Sequence, residues 1–162
     1  MDSPIIKGHF LSIHSKTYPT LSLTSDNPQS YLALNDRLLT IEGIELGARR
    51  IGHGVAAIQD NQALSYIKQH NALLEICPTS NLQTKAIQSV EELNIRKLIE
   101  QGIPFNINTD NRTVSNTNLN QEYQLLYNHQ LLSIAEMKDI NIKAIDHAFI
   151  SDIEKEQLKM KY

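Results

Sequence analysis

The sequence predicts an α/β chain of repeated strand–helix units, and three observations predict it. Short apolar or β-branched runs end on polar groups at Arg50-Ile51-Gly52-His53-Gly54, at Cys77-Pro78-Thr79-Ser80-Asn81 and at Asn106-Ile107-Asn108-Thr109-Asp110. A helical pattern follows each of them, and the three recur at similar spacing. Strands separated by a helix pair in parallel through right-handed crossovers, since antiparallel strands need no intervening helix. Polar residues at the C-terminal ends of such strands are how a (β/α)8 TIM barrel reads. The expectation is therefore a partial barrel, three or four strand–helix units followed by C-terminal helices.

Taken in order, Phe10-Leu11-Ser12-Ile13-His14 is a short candidate strand. From Ser15 to Tyr31 the chain is Ser, Thr, Pro, Asn and Asp with isolated leucines, without a two-residue or a 3.6-residue period, and is expected to be loop or disorder. From Leu34 a helical face of Leu38, Leu39, Ile41, Ile44 and Leu46 runs to Gly47 as C-cap, and a strand at Arg50 to His53 follows. Asp60 and Asn61 cap a helix with Ala63, Leu64 and Ile67 inward, which Asn71 closes before a strand at Leu73 to Cys77. Ser89 with Glu92 three residues on is a capping box. The helix it opens runs through Leu93, Ile95, Leu98 and Ile99 to Gly102, ahead of a strand at Phe105 to Asn108. Leu119 to Leu132, Ile134 to Ile145 and Ser151 to Met160 read as helices, with Leu119, Tyr123 and Leu126 at core spacing and Ser151 and Glu154 as another box.

Composition narrows the function classes. A chain of 162 residues, 41% hydrophobic, is long enough to bury about 70% of its unfolded surface and needs no disulfide staples. The net charge of −3 and a pI of about 6.0, with Lys and Arg scattered, argue against a nucleic-acid polymer as partner. A single cysteine, Cys77, excludes an internal disulfide and a Cys-rich metal site, and it fits a reducing cytoplasm. It reads as a small buried hydrophobe rather than a nucleophile. No window approaches a membrane span. A soluble, cytoplasmic chain is expected.

His53 and Asp110 stand at the ends of two predicted strands, so a barrel would bring them to one mouth although 57 positions separate them (110 minus 53). Imidazole and carboxylate are both zinc ligands and both can move a proton, which suits metal-assisted hydrolysis. Each also has a structural reading, His53 as a turn residue between two glycines and Asp110 as a cap at a strand–loop junction. His9, His70, His129 and His147 have no partners at ligand spacing and read as surface or cap residues.

Four stretches in order, Arg50 to Gly54, Glu75 to Asn81, Asn106 to Asp110 and Asn118 to Tyr123, resemble the C-terminal half of adenosine deaminases, and the similarity runs from about Leu34 to the final helices. The resemblance implies two parts, a divergent or poorly ordered segment over 1–33 and a half-barrel over 34–162. It implies a zinc aminohydrolase that converts adenosine and water to inosine and ammonia, a purine nucleoside being its substrate. Thr109-Asp110 and Glu122-Tyr123 lean towards adenosine over adenine. His53 matches the family's catalytic histidine, which orients the attacking oxygen, and Asp110 matches its zinc-binding carboxylate. Asn111 stands where the family has a second aspartate that binds the purine; the amide keeps donor and acceptor but does not titrate. His14, after Ile13, resembles a further zinc ligand, yet Thr17 stands where a glutamate should follow, and 39 positions (53 minus 14) separate it from His53.

No residues here correspond to the family's His-x-His strand or to the three strands after it. The chain is accordingly expected to be inactive by itself. The alternative is a non-catalytic remnant or binding module that self-associates through exposed strand edges, two copies bringing eight strands. A different metal-dependent hydrolase on the same barrel is a third reading.

Overall fold

Short segments of three or four residues make the strands of the computed structural model, which describes residues 31–34 and 37–161. Strands β1 (Tyr31–Leu34), β2 (Arg50–His53), β3 (Leu73–Ile76) and β4 (Phe105–Ile107) form one parallel sheet in the order β1-β2-β3-β4. Between β1 and β2 lies α1 (Arg37–Glu45); α2 (Val55–Ile58) and α3 (Asn61–Gln69) lie between β2 and β3. Between β3 and β4 come α4 (Pro78–Gln83), a 3₁₀ turn (Val90–Leu93) and α5 (Ile95–Gln101). After β4 the chain is helical: α6 (Arg112–Ser115), α7 (Leu119–Asn128), α8 (Ile134–Asp146) and α9 (Asp152–Lys159). Four adjacent parallel strands with interleaved helices are half of a (β/α)8 barrel, as expected.

The register explains what each face of the sheet does. Arg50 is opposite Leu73, Gly52 opposite Glu75, and Glu75 opposite Asn106. Alternation therefore places Ile51, Leu74, Ile76, Phe105 and Ile107 on the face that meets the helices, where all are buried with Leu64, Ile67, Leu98 and Leu126. The opposite face, the one a closed barrel turns inward, carries Arg50, Glu75 and Asn106. Arg50 and Glu75 form an ion pair across β2 and β3. The Arg50 guanidinium also donates to the His147 carbonyl at 3.3 Å and lies 5.5 Å from the centre of the Phe149 ring, which ties the turn after α8 to the end of the sheet where the strands begin.

Most caps fall where the sequence places them. Asp60 accepts from the Ala63 N–H at 2.8 Å, Gly47 and Gly102 have φ of 100° and 65°, and Asn71 has φ 50°. Ala63, Leu64 and Ile67 are fully buried. The lone histidines predicted as surface or cap residues do cap: His70, His129 and His147 end α3, α7 and α8.

Four expectations are corrected. Tyr31–Leu34 is a strand, where the sequence has no period and a helix was expected to follow from Leu34; pairing with β2 makes it one, and α1 begins only at Arg37. The box at Ser89 and Glu92 is formed, but it opens a 3₁₀ turn that Asn94 breaks at φ 49°, so α5 starts afresh at Ile95. Leu119 is exposed at the first turn of α7 while Leu126 is fully buried. Helix α4 was not foreseen, because Pro-Thr-Ser-Asn-Leu-Gln has no apolar period; Pro78 at its first position starts it directly from β3. The candidate strand at Phe10 to His14 and the segment from Ser15 to 30 lie outside the described residues.

Candidate active site

The C-terminal ends of β2, β3 and β4 point to one side of the sheet, and the polar residues that follow them meet there. His53 closes β2 with φ 62°, at the centre of a three-residue turn in which the Gly54 N–H donates to the Gly52 carbonyl at 2.8 Å. Such turns with positive φ are rare and strained for a residue with a side chain. Gly54 continues the left-handed path at φ 62°, and a Cβ there would lie 2.8 Å from the Leu74 Cδ2, so the strand exit needs glycine at this position.

Beyond β3, α4 turns two short polar side chains inward, Ser80 and Asn81, both buried. The ring Nδ1 of His53 is 2.7 Å from the Asn81 Oδ1. Asp110, three residues after β4 and also left-handed at φ 55°, accepts a hydrogen bond from the Ser80 hydroxyl at 2.7 Å on its Oδ2. The same oxygen is 3.8 Å from the His53 Nε2. The structure thus brings together the two residues that the sequence set 57 positions apart (110 minus 53), and it adds the α4 pair between them.

Support comes from below. The fully buried Glu122 of α7 accepts from the Thr79 N–H at 2.9 Å and from the Thr117 hydroxyl at 2.6 Å, fixing the start of α4 against the loop that leads into α7. Cys77 is buried beneath the site as a free thiol, and burial, reinforced by the charges of Asp110, Glu75 and Glu122, pushes its pKa up to about 12. It is no nucleophile near neutrality.

Asn111 is exposed, and its Oδ1 accepts from the Thr113 and Val114 N–H groups at 3.1 Å each. It is the N-cap of α6, and the cap takes up its Oδ1. His14 lies outside the described residues. Sequence reasoning named His53, Asp110 and Asn111 but passed over Asn81 as a site residue; the signal available was Pro78 directly after a strand, which announces a helix, while the burial of two polar side chains on that helix is a tertiary fact.

A zinc ion needs at least three protein ligands. Among the described residues no three His, Cys, Asp or Glu side chains cluster closely enough to hold a metal ion. The described residues therefore do not fit a zinc site by themselves.

The family model for adenosine deaminase matches residues 42–161. The chain belongs to the adenosine deaminase family. It is 42% identical over 120 residues to the adenosine deaminase of Enterococcus faecalis, covering 74% of this chain and 36% of that protein. To the adenosine deaminase of Streptococcus mutans it is 44% identical over 118 residues, 72% of this chain and 34% of the relative. The apo structure of the N6-methyl-AMP deaminase from Arabidopsis thaliana superposes with a TM-score of 0.68 at 30% identity, over 77% of this chain and 36% of that one. The adenine deaminase from Arthrobacter aurescens gives a TM-score of 0.74 at 18% identity, over 80% and 41%, a likeness of fold. The chain spans about a third of the length of the curated family members it matches, and the matched part is their C-terminal part. Among solved neighbours is an amidohydrolase from Burkholderia ambifaria with bound zinc, which at 18% identity again speaks for the fold.

Proposed function

We propose that residues 34–162 supply the C-terminal wall of a purine aminohydrolase site, with adenosine and water as substrates and inosine and ammonia as products. One observation carries the reading: β2 and β4 deliver His53 and Asp110 to the same mouth, 3.8 Å apart, in a chain of this family. In that reaction water adds to the ring carbon that bears the amino group, and ammonia leaves. His53 is the residue for the proton of the attacking water, its Nε2 turned towards the Asp110 carboxylate. Asp110, held by the Ser80 hydroxyl, offers the fixed negative charge that the family uses for zinc. The amide nitrogen of Asn111 is a donor for the purine ring. Any zinc would take Asp110 from the described residues, and its other ligands would have to lie beyond them.

The chain by itself is then expected to form no inosine, because one carboxylate does not hold zinc against water and the described site offers no acid for the ring nitrogen. The test is complementation. Co-expressed with the part of the Enterococcus faecalis relative that precedes the matched region, the chain should deaminate adenosine. Activity should fall by at least about 100-fold in His53→Ala and Asp110→Ala. A stably assembled pair without deaminase activity, next to an active intact relative, would sink the reading; inosine from the chain alone would overturn its inactivity.

A second reading rests on the sheet edges. Among the described residues β1 pairs only with β2 and β4 only with β3, which leaves two edges of the kind that recruit further strands. Self-association follows as the expected state of the isolated chain, and light scattering that shows a stable monomer would remove it. Among the described residues no helix is long and apolar enough to cross a membrane. The free thiol of Cys77 supports a reducing compartment, the cytoplasm.

A further inference from the structure

We propose that Asn81 sets the tautomer of His53, holding the ring with Nδ1 protonated and the Nε2 lone pair open towards Asp110. This role for Asn81 rests on the reading of His53 as the proton-handling residue. Three observations carry it. The Asn81 Oδ1 lies 2.7 Å from the His53 Nδ1, a short separation for a hydrogen bond to nitrogen. Asn81 is 1% exposed, and its Nδ2 is buried with no hydrogen-bond partner. His53 itself sits on a strained three-residue turn, so its backbone is fixed before the ring is placed.

An amide can face an imidazole in two ways. With Oδ1 towards the ring it accepts from an Nδ1–H; with Nδ2 towards the ring it donates to a bare Nδ1 and moves the ring proton to Nε2. The first arrangement survives gain and loss of a proton at Nε2, because Nδ1 is a donor in both states. The second is broken whenever the ring becomes doubly protonated. A residue that passes protons at Nε2 without swinging away needs the first. The cost is the orphaned Nδ2, and buried unpaired donors are rare enough to call for a functional cause. Asp110 makes no direct hydrogen bond to the ring: its Oδ2 takes the Ser80 hydroxyl and lies 3.8 Å from the Nε2, so its charge favours a proton there and the short Asn81 hydrogen bond is what outweighs it.

The tautomer is measurable in the metal-free chain by long-range ¹H–¹⁵N correlation, with the His53 ring signals assigned by their loss in His53→Gln. Free imidazole side chains favour Nε2–H. In the chain, with the ring neutral, the Nδ1–H form should outweigh the other by about tenfold, which corresponds to a net preference of about 1.4 kcal/mol. Asn81→Leu should return the ring to the Nε2–H form, and Asn81→Asp, which keeps the acceptor, should preserve Nδ1–H. An Nε2–H ring in the unsubstituted chain overturns the assignment at once, whether or not either variant folds. So does an unchanged tautomer in a folded Asn81→Leu. The reading is made without substrate, so it stands or falls separately from the complementation assay.

Discussion

The two ends of this sheet solve opposite problems. Where the strands begin, Arg50 is tied down: it pairs with Glu75 further along β3, reaches the His147 carbonyl and lies by Phe149, while the His147 Nε2 is 3.1 Å from the Asn71 carbonyl. Where the strands end, the chain carries positive φ at His53 and Asp110, a buried amide nitrogen without a partner, and an imidazole and a carboxylate close but not bonded. The first end is arranged for stability. The second stores strain and incomplete hydrogen bonding where chemistry is proposed, and the rest of the fold holds it in place.

Substitutions can separate the two. The largest effect is expected at the tied end. The Arg50 and Glu75 side chains are only 20% and 10% exposed, so Glu75→Ala leaves a largely buried guanidinium without its carboxylate, and a loss of about 3 kcal/mol in urea unfolding is expected. His53→Gly, at the other end, removes a left-handed backbone penalty of about 1 kcal/mol but leaves the buried Asn81 Oδ1 unpaired, at about 2 kcal/mol, so a net loss of only about 1 kcal/mol is expected. It should therefore abolish activity in the complemented enzyme while costing far less stability than Glu75→Ala. Equal destabilisation by both variants would erase the distinction.

Next in size is Gly54→Ala. It adds a side chain at φ 62° and places a Cβ 2.8 Å from the buried Leu74 Cδ2, so about 2 kcal/mol of destabilisation is expected in the same measurement. A neutral result would mean that the exit from β2 relaxes freely, and that the strain at His53 is not held by the fold.

How much of this was legible depended on distance along the chain. The exits from β2, β3 and β4 at His53, Cys77 and Asp110 were visible because each is punctuated locally by glycine, proline or a polar triplet. Capping at Asp60, Ser89 and Ser151 was visible because a cap is decided within four residues. Strand β1 was not, since Tyr31-Leu32-Ala33-Leu34 has no alternation and becomes a strand only by pairing with residues 50–53. Nor was α4, whose buried side is Ser80 and Asn81 rather than an apolar stripe. A helix that lines a polar site must break the hydrophobic period by which helices are recognised. The meeting of His53 with Asp110 was inferred from barrel topology, whereas the partners that orient them came only from the packing of α4.

A smaller effect tests the helical periphery. Ser133 caps α8 in a box with Glu136, and Arg96 of α5 reaches the same carboxylate at 2.5 Å. The Ser133 N–H and hydroxyl, followed by Arg96, hold the Glu136 carboxyl down at about 2, below its usual 4.5. A carboxyl depressed on folding contributes stability that is complete above its unfolded pKa and is lost as pH falls towards its folded value. The difference in stability between the parent chain and Glu136→Gln should thus be constant near neutrality and shrink between about 4.5 and about 2. Ser133→Ala should cost about 1 kcal/mol at neutral pH. A gap that persists unchanged down through that window would show that the carboxylate charge contributes nothing to α8.

The smallest expected effect is at Cys77, directly beneath the mouth. A catalytic or redox-active cysteine would have an accessible, acidified thiol. Cys77 has the reverse: it is 2% exposed, directly after β3, and its pKa is pushed up to about 12, first by burial and then by the negative charges of Asp110, Glu75 and Glu122. Thiolate is the reacting species, so the folded chain should resist iodoacetamide at neutral pH and become fully alkylated in denaturant. Cys77→Ser should leave the complemented activity unchanged, at some cost in stability from a hydroxyl in an apolar position. Rapid alkylation of the native chain would mean that the layer under His53 and Asp110 opens to solvent. The mouth would then be loose rather than strained, and the contrast with the tied end would fail at its foundation.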